Sequence, residues 1–115
     1  MKIRIKEQSI RFRLTQSDVR NLHAQGSLEE HTDFLSGRFT YAIEQTEKDT
    51  MSASFENGRI TLKIPLEMIN ELESTDRVGF SGNTGTLKFL IEKDFTCLDN
   101  TIEDQSDNYP NPLLA

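Results

Sequence analysis

The sequence predicts an α+β fold: a tandem β-β-α-β-β repeat with pseudo-two-fold symmetry, forming a mainly antiparallel sheet system that carries two short helices. Short stretches of alternating apolar and polar residues, two apolar stripes at helical spacing, and the same order in both halves predict it. We expect one domain over residues 1–93, with repeat one at about 1–46, repeat two at about 50–93, and an acidic C-terminal tail over 94–115. The 115 residues are enough for one core without a disulfide or a metal.

The first half is predicted to begin with two strands and a helix. Apolar and basic residues alternate over residues 2–6 and again over 10–14, which is the two-residue period of a strand. Thr15 is suited to cap the following helix, and Asp18 lies in its first turn, where a carboxylate is favoured. Gly26 is suited to end that helix.

The second half is predicted to repeat these elements. Residues 51–64 alternate on both sides of Asn57-Gly58, a pair typical of a tight hairpin turn. Pro65 is suited to the first position of a helix, and the apolar stripe over residues 66–72 supplies the buried side of that helix.

Each half is predicted to end in two further strands. In the first half these are a polar strand over residues 28–35 and a clearly alternating strand over 39–44. In the second half they are a short strand at residues 78–80 and an apolar strand over 87–91. The order β-β-α-β-β therefore occurs twice.

The two halves also match position by position. A shift of 50 residues carries the apolar residues of the second strand and first helix onto those of the second half, and a shift of 48 does the same for the last strands. The residues matched by the first shift are Ile10, Phe12, Leu14, Val19 and Leu22 with Ile60, Leu62, Ile64, Ile69 and Leu72. Chance is the alternative explanation, because few of the matched residues are identical.

Five cations on the first two strands form a candidate binding surface. They are Lys2, Arg4, Lys6, Arg11 and Arg13. Alternate residues of a strand point to one face, so a hairpin would place all five cations together and direct Phe12 into the core. Such a face suits an anion or an acidic partner; a solvated surface that discourages edge pairing is the structural alternative.

Charge is strongly segregated along the chain. The net charge is −6, yet residues 1–14 carry +4 and residues 92–115 carry −5. An acidic protein is a weak candidate for nucleic-acid binding, because neutralisation of phosphates supplies most of the non-specific affinity. We therefore expect the basic face to bind a protein partner or the chain's own tail rather than nucleic acid.

The acidic tail contains oxygen ligands and one thiol that suggest a metal site as the alternative function. The candidate ligands are Cys97, Asp99, Glu103, Asp104 and Asp107. Their spacing lacks the mid-loop glycine of a calcium loop, and one cysteine with two distant histidines does not match a zinc site. We expect no cofactor. A bound divalent metal is the alternative that the sequence leaves open.

The cysteine count and the hydropathy pattern bear on location. Cys97 is the only cysteine, which suits a reducing compartment. No apolar stretch approaches the roughly 20 residues of a membrane helix, and no apolar segment follows the basic start as in a secretory signal. We expect a cytoplasmic protein without membrane association.

Several segments resemble an uncharacterised family of short bacterial proteins that carries only a domain-of-unknown-function label. They are MKIRIK at the start, SIRFRLTQS at 9–17, SASFEN at 52–57, and EKDFTCLD and EDQSDNYPNP in the tail. The resemblance covers nearly the whole chain and implies that the tail belongs to the family pattern. It implies no activity, cofactor or site residue.

Catalytic motifs do not emerge from the sequence. It contains no glycine-rich phosphate loop, no nucleophile elbow, no paired CxxC and no helix-borne metal motif. A small non-enzymatic binding or regulatory module is therefore the favoured function. A metal-binding protein or metal-dependent enzyme that uses the Cys97–Asp107 segment is the alternative.

Overall fold

The computed structural model describes residues 1–95, which form eight strands and two helices. The strands are β1 (Lys2–Lys6), β2 (Ser9–Leu14), β3 (Ser27–Phe34), β4 (Gly37–Thr46), β5 (Ser52–Glu56), β6 (Arg59–Pro65), β7 (Gly79–Thr84) and β8 (Leu87–Lys93). The helices are α1 (Gln16–Gln25) and α2 (Leu66–Ser74). The predicted order β-β-α-β-β is thus present in both halves.

The strands form two four-stranded sheets, sheet A in the order β1-β2-β8-β7 and sheet B in the order β3-β4-β6-β5. In each sheet, two antiparallel hairpins meet at a central parallel pair, β2 with β8 or β4 with β6. Each sheet takes one hairpin from each half of the chain. The predicted α+β class with mainly antiparallel pairing is confirmed, and the central parallel pairs are an addition that the sequence did not predict.

The strand registers of the two sheets correspond. In sheet A, Ile10 pairs with Phe89, and in sheet B, Ile60 pairs with Tyr41. The same shifts of 50 and 48 residues that match the sequences relate these two pairs. The strand order and the pairing register of one sheet therefore repeat in the other.

The hairpin turns repeat this correspondence. Asn57 and Gly58 have φ of 51° and 73°, the left-handed values expected for an Asn-Gly turn. The Gly58 carbonyl accepts a hydrogen bond from the Thr40 amide at 2.9 Å, and the Gln8 carbonyl accepts one from the Lys88 amide at 2.8 Å. Each hydrogen bond joins the first hairpin turn of one half of the chain to the last strand of the other half.

The two helices begin differently. Thr15 caps α1 in a capping box: its side chain accepts from the Asp18 amide, and the Asp18 carboxylate accepts from the Thr15 amide. Gly26 ends α1 with φ of 77°, as predicted. Pro65 instead ends β6 and stands immediately before α2, which begins at Leu66, so its predicted place inside the helix is wrong by one residue.

One hydrophobic core joins both sheets and both helices. Its fully buried large side chains are Phe12, Leu14, Leu22, Ile43, Leu62, Ile64, Ile69, Leu72 and Ile91. Full burial of a side chain of this size stabilises the fold by about 1.5–3 kcal/mol. The complete burial of Phe12 confirms its predicted inward direction.

The N-terminal ammonium group links three elements. The Met1 nitrogen lies 2.8 Å from carboxylate oxygens of Asp18 in α1 and Glu30 in β3. Burial alone would lower the pKa of this ammonium, but the hydrogen bonds to the two carboxylates raise it above its usual 8.0. The ion pairs therefore attach the start of β1 to α1 and to sheet B.

Gly79→Ala is expected to lower the free energy of unfolding by about 1–3 kcal/mol, because overpacking strains the backbone. A Cβ at this position would collide with the Ile91 carbonyl oxygen and the Glu92 backbone. Urea unfolding measures the effect. Gly37→Ala is the matched strand control, since nothing lies within 4 Å of its Cβ position, and it should be neutral or stabilising. Equal losses in both variants would contradict this account.

The ion pairs of Met1 are expected to make stability fall in the alkaline range. Because the folded state raises the pKa of this ammonium, its contribution is complete below pH 8.0 and is lost as the pH rises through the folded pKa. Thermal unfolding at about pH 7 and about pH 9.5 measures the loss. Glu30→Gln removes one carboxylate and should show a smaller alkaline decrease; an unchanged decrease would count against the ion pairs.

Candidate functional site

The register of β1 and β2 places the five predicted cations on the outer face of sheet A. Lys2 pairs with Arg13, and Arg4 pairs with Arg11. Lys6 pairs with Ser9 and continues the same face. The three β1 side chains are exposed, and the two arginines of β2 are half-buried.

This basic face continues onto the second half of the chain. Lys88 of β8 pairs with Ser9 on one side and with Asn83 of β7 on the other, which adds a sixth cation. Sequence reasoning missed Lys88 because it is a single cation in an otherwise apolar strand. Its alternation with Leu87 and Phe89 indicates a solvent-facing side chain, but only the parallel β2–β8 pairing brings it to the other cations.

Two carboxylates neutralise one end of the basic face. A Glu92 oxygen lies 3.1 Å from the Arg13 Nε atom and 3.4 Å from the Arg11 Nε atom. The Lys2 Nζ atom lies 3.2 Å from an Asp94 oxygen, and Asp94 is the first residue of the predicted tail.

The opposite end of the basic face stays positive. Among residues 1–95, no carboxylate lies within ion-pair distance of Lys6 or Lys88. Lys6 and Lys88 are therefore the cations of this face that are left to attract an anion, and Glu7 places one exposed carboxylate in the adjoining turn.

An open groove of about 540 Å³ lies over β2, β8 and β7. Its lining includes two cations, Arg11 and Lys88, and the neutral polar side chains of Ser81, Asn83 and Thr86. No carboxylate belongs to its lining. Cations with neutral hydrogen-bond donors are the groups that hold a carboxylate or phosphate, so the groove is suited to an oxyanion.

The corresponding edge of sheet B is not basic. Strand β5 corresponds to β1, and its outer-face residues are Ser52, Ser54 and Glu56. The two edges differ in exposure, because the Ala53 amide of β5 donates to the Thr84 hydroxyl of β7 at 3.2 Å and this contact covers part of the β5 edge.

The centre of the outer face of sheet B is occupied by an internal ion-pair group. The Arg59 guanidinium contacts the Glu29 carboxylate and, at 2.9 Å, the Glu44 carboxylate. The hydrogen bond from Arg59 lowers the pKa of the Glu29 carboxyl below its usual value, so this pair stays ionised at neutral pH. Arg59 at the centre of sheet B is thus neutralised by two carboxylates, whereas Arg11 and Arg13 of sheet A share the single carboxylate of Glu92.

The predicted metal ligands lie outside the described residues. These are Cys97, Asp99, Glu103, Asp104 and Asp107. Within residues 1–95, no group of three or more His, Cys, Asp or Glu side chains is arranged to hold a metal ion. His31 lies 3.8 Å from the Asp33 carboxylate, which pairs with Arg38, and these contacts do not form a metal centre.

Neither of the two helices in the described part of the chain is long and apolar enough to cross a membrane.

Comparison with known proteins places the chain in a family. It belongs to the family described as "Family of unknown function (DUF7009)", whose model matches residues 1–113. This confirms the predicted membership of a family of unknown function. No curated protein and no solved structure shows a significant match.

Proposed function

We propose that this protein is a small non-enzymatic binding module and that the basic face of sheet A holds an acidic segment of a partner protein. The observation that carries the proposal is the difference in charge between two otherwise corresponding sheets. Sheet A presents six cations on its outer face, of which Lys6 and Lys88 have no carboxylate within ion-pair distance in residues 1–95, whereas the central arginine of sheet B is paired with two carboxylates.

The spacing of the cations fits an extended acidic polypeptide. Lys2, Arg4 and Lys6 are alternate residues of one strand, and so are Arg11 and Arg13, which places neighbouring cations about 6.4–6.8 Å apart along the strand. A partner in extended conformation with an acidic residue at every second position presents its carboxylates at the same spacing. Charge complementarity of this kind speeds encounter and selects the partner.

The face lacks the groups that single-stranded nucleic acid needs. Sequence-tolerant binding of bases depends on exposed aromatic rings beside the cations. Phe12, the aromatic residue between Arg11 and Arg13, is completely buried, and the outer-face positions of the described sheet A carry no aromatic side chain. A lone cysteine supports a cytoplasmic setting for the interaction.

The test measures binding of a capped octapeptide of alternating Glu and Ser by fluorescence anisotropy. The double variant Lys2→Gln/Lys6→Gln should weaken binding by roughly two- to thirtyfold, because each exposed ion pair contributes about 0.2–1 kcal/mol. Lys48→Gln/Lys63→Gln is the matched control: it removes the same charge from exposed positions off this face and should have little effect. Affinity should also fall as salt is added.

Four results would contradict the proposal or change the partner. Absence of peptide binding by the wild-type chain would reject it, as would equal losses in the two double variants. Tighter binding of an oligothymidine strand than of the peptide would make nucleic acid the partner. If replacing the tail residues Asp99, Glu103, Asp104 and Asp107 by their amides strengthens peptide binding, the chain's own tail competes for the face.

A further inference from the structure

We propose that one carboxylate of the acidic partner sits in the groove between Arg11 and Lys88, at the place that the Glu29 carboxylate occupies on sheet B. This inference rests on the proposed function and assigns one specific binding site within the basic face. The internal correspondence of the two sheets identifies the place.

Ser81 is the sheet A counterpart of Glu29. Ser81 pairs with Leu90, and Glu29 pairs with Ala42. Leu90 and Ala42 correspond through the shift of 48 residues. Sheet A therefore has a short, neutral side chain at the position where sheet B has a carboxylate.

On sheet B, side chains of the same sheet occupy this position. Arg59 reaches across the sheet, donating to the Thr61 hydroxyl at 3.2 Å and to the carboxylates of Glu29 and Glu44. Beneath it, Ala42 and Thr61 are only 1% and 8% exposed. The arginine and its carboxylates form a closed, neutralised layer over the centre of the sheet.

On sheet A, the same position is open. Leu90 and Arg11, which correspond to Ala42 and Thr61, are only partly covered, and the groove lies above them. Since Ser81 does not reach across the sheet, no side chain of residues 1–95 supplies the carboxylate that Glu29 supplies on sheet B.

The cations around the groove retain capacity for an external acceptor. The Arg11 Nε atom is 3.4 Å from Glu92, beyond the 2.7–3.2 Å range of an N–H···O hydrogen bond. Lys88 has no carboxylate partner within residues 1–95. A carboxylate placed between them accepts charge-assisted hydrogen bonds from both, and Asn83 and Ser81 add neutral donors at the rim.

The test places a carboxylate on sheet A at the position where sheet B has Glu29. Ser81→Glu supplies an internal carboxylate and should weaken binding of the alternating Glu-Ser peptide by about tenfold, because it competes for the same cations. Ser81→Gln introduces a side chain of nearly the same size without the charge, so Ser81→Glu should bind the peptide clearly more weakly than Ser81→Gln does. Ser54→Glu adds the same charge to an exposed strand position of sheet B and should bind like the wild type.

Thermal unfolding checks that each variant is folded. If Ser81→Glu does not fold, Lys88→Gln gives the second measurement: it should weaken binding severalfold, whereas Lys63→Gln should not. Addition of the peptide should also shift the backbone amide resonances of Asn83 and Thr86 in a two-dimensional NMR spectrum of the wild-type chain.

The outcomes separate the two proposals. If the wild type, Ser81→Glu and Lys88→Gln all bind the peptide equally strongly, the assignment of the carboxylate to the groove is wrong. The proposed function is then unaffected. Absence of binding by the wild type overturns both. If inorganic phosphate displaces the peptide at lower concentration than glutarate does, the groove selects a phosphate and the assignment to a carboxylate is overturned.

Discussion

Two parallel strand pairs, β2 with β8 and β4 with β6, hold the structure together, because each joins a hairpin of the first half to a hairpin of the second. Neither half contains a complete sheet, so each depends on the other for its strand partners. All four central strands contribute fully buried side chains to the single core. The basic face depends on the same pairing, since β8 brings Lys88 and Glu92 beside the arginines of β2.

Features that depend on neighbouring residues were predictable from the sequence, and features that depend on distant pairing were not. The Thr15 cap, the Asn57-Gly58 turn and the buried Phe12 follow from local spacing and turn chemistry. The contact between β2 and β8 joins residues 79 positions apart, as in the hydrogen bond from Arg13 to Glu92, and no local pattern specifies it. The basic hairpin is therefore predictable from alternation alone, whereas the residues that line the groove formed with β7 and β8 are not.

Comparison of the two sheets distinguishes the features that the fold requires in both from the surface charges that differ between them. Both sheets have the same strand order, the same central parallel pair and the same apolar inner positions, yet their outer faces differ in charge. Packing and pairing therefore do not determine the cations of sheet A. In sheet B, Arg59 is balanced by Glu29 and Glu44, which shows that this fold accommodates a neutral outer face.

The strand order also sets the sequence of events during synthesis. All four strands of sheet B lie between Ser27 and Pro65, so they are present together before β7 and β8 have been made. Sheet A is assembled from the two ends of the folded region, and the open edge of β2 lacks its β8 partner until the ribosome has passed Lys93. Long-range pairing of this kind forms late and slowly. A nascent chain thus exposes the cations of β1 and β2 well before the groove beside them exists.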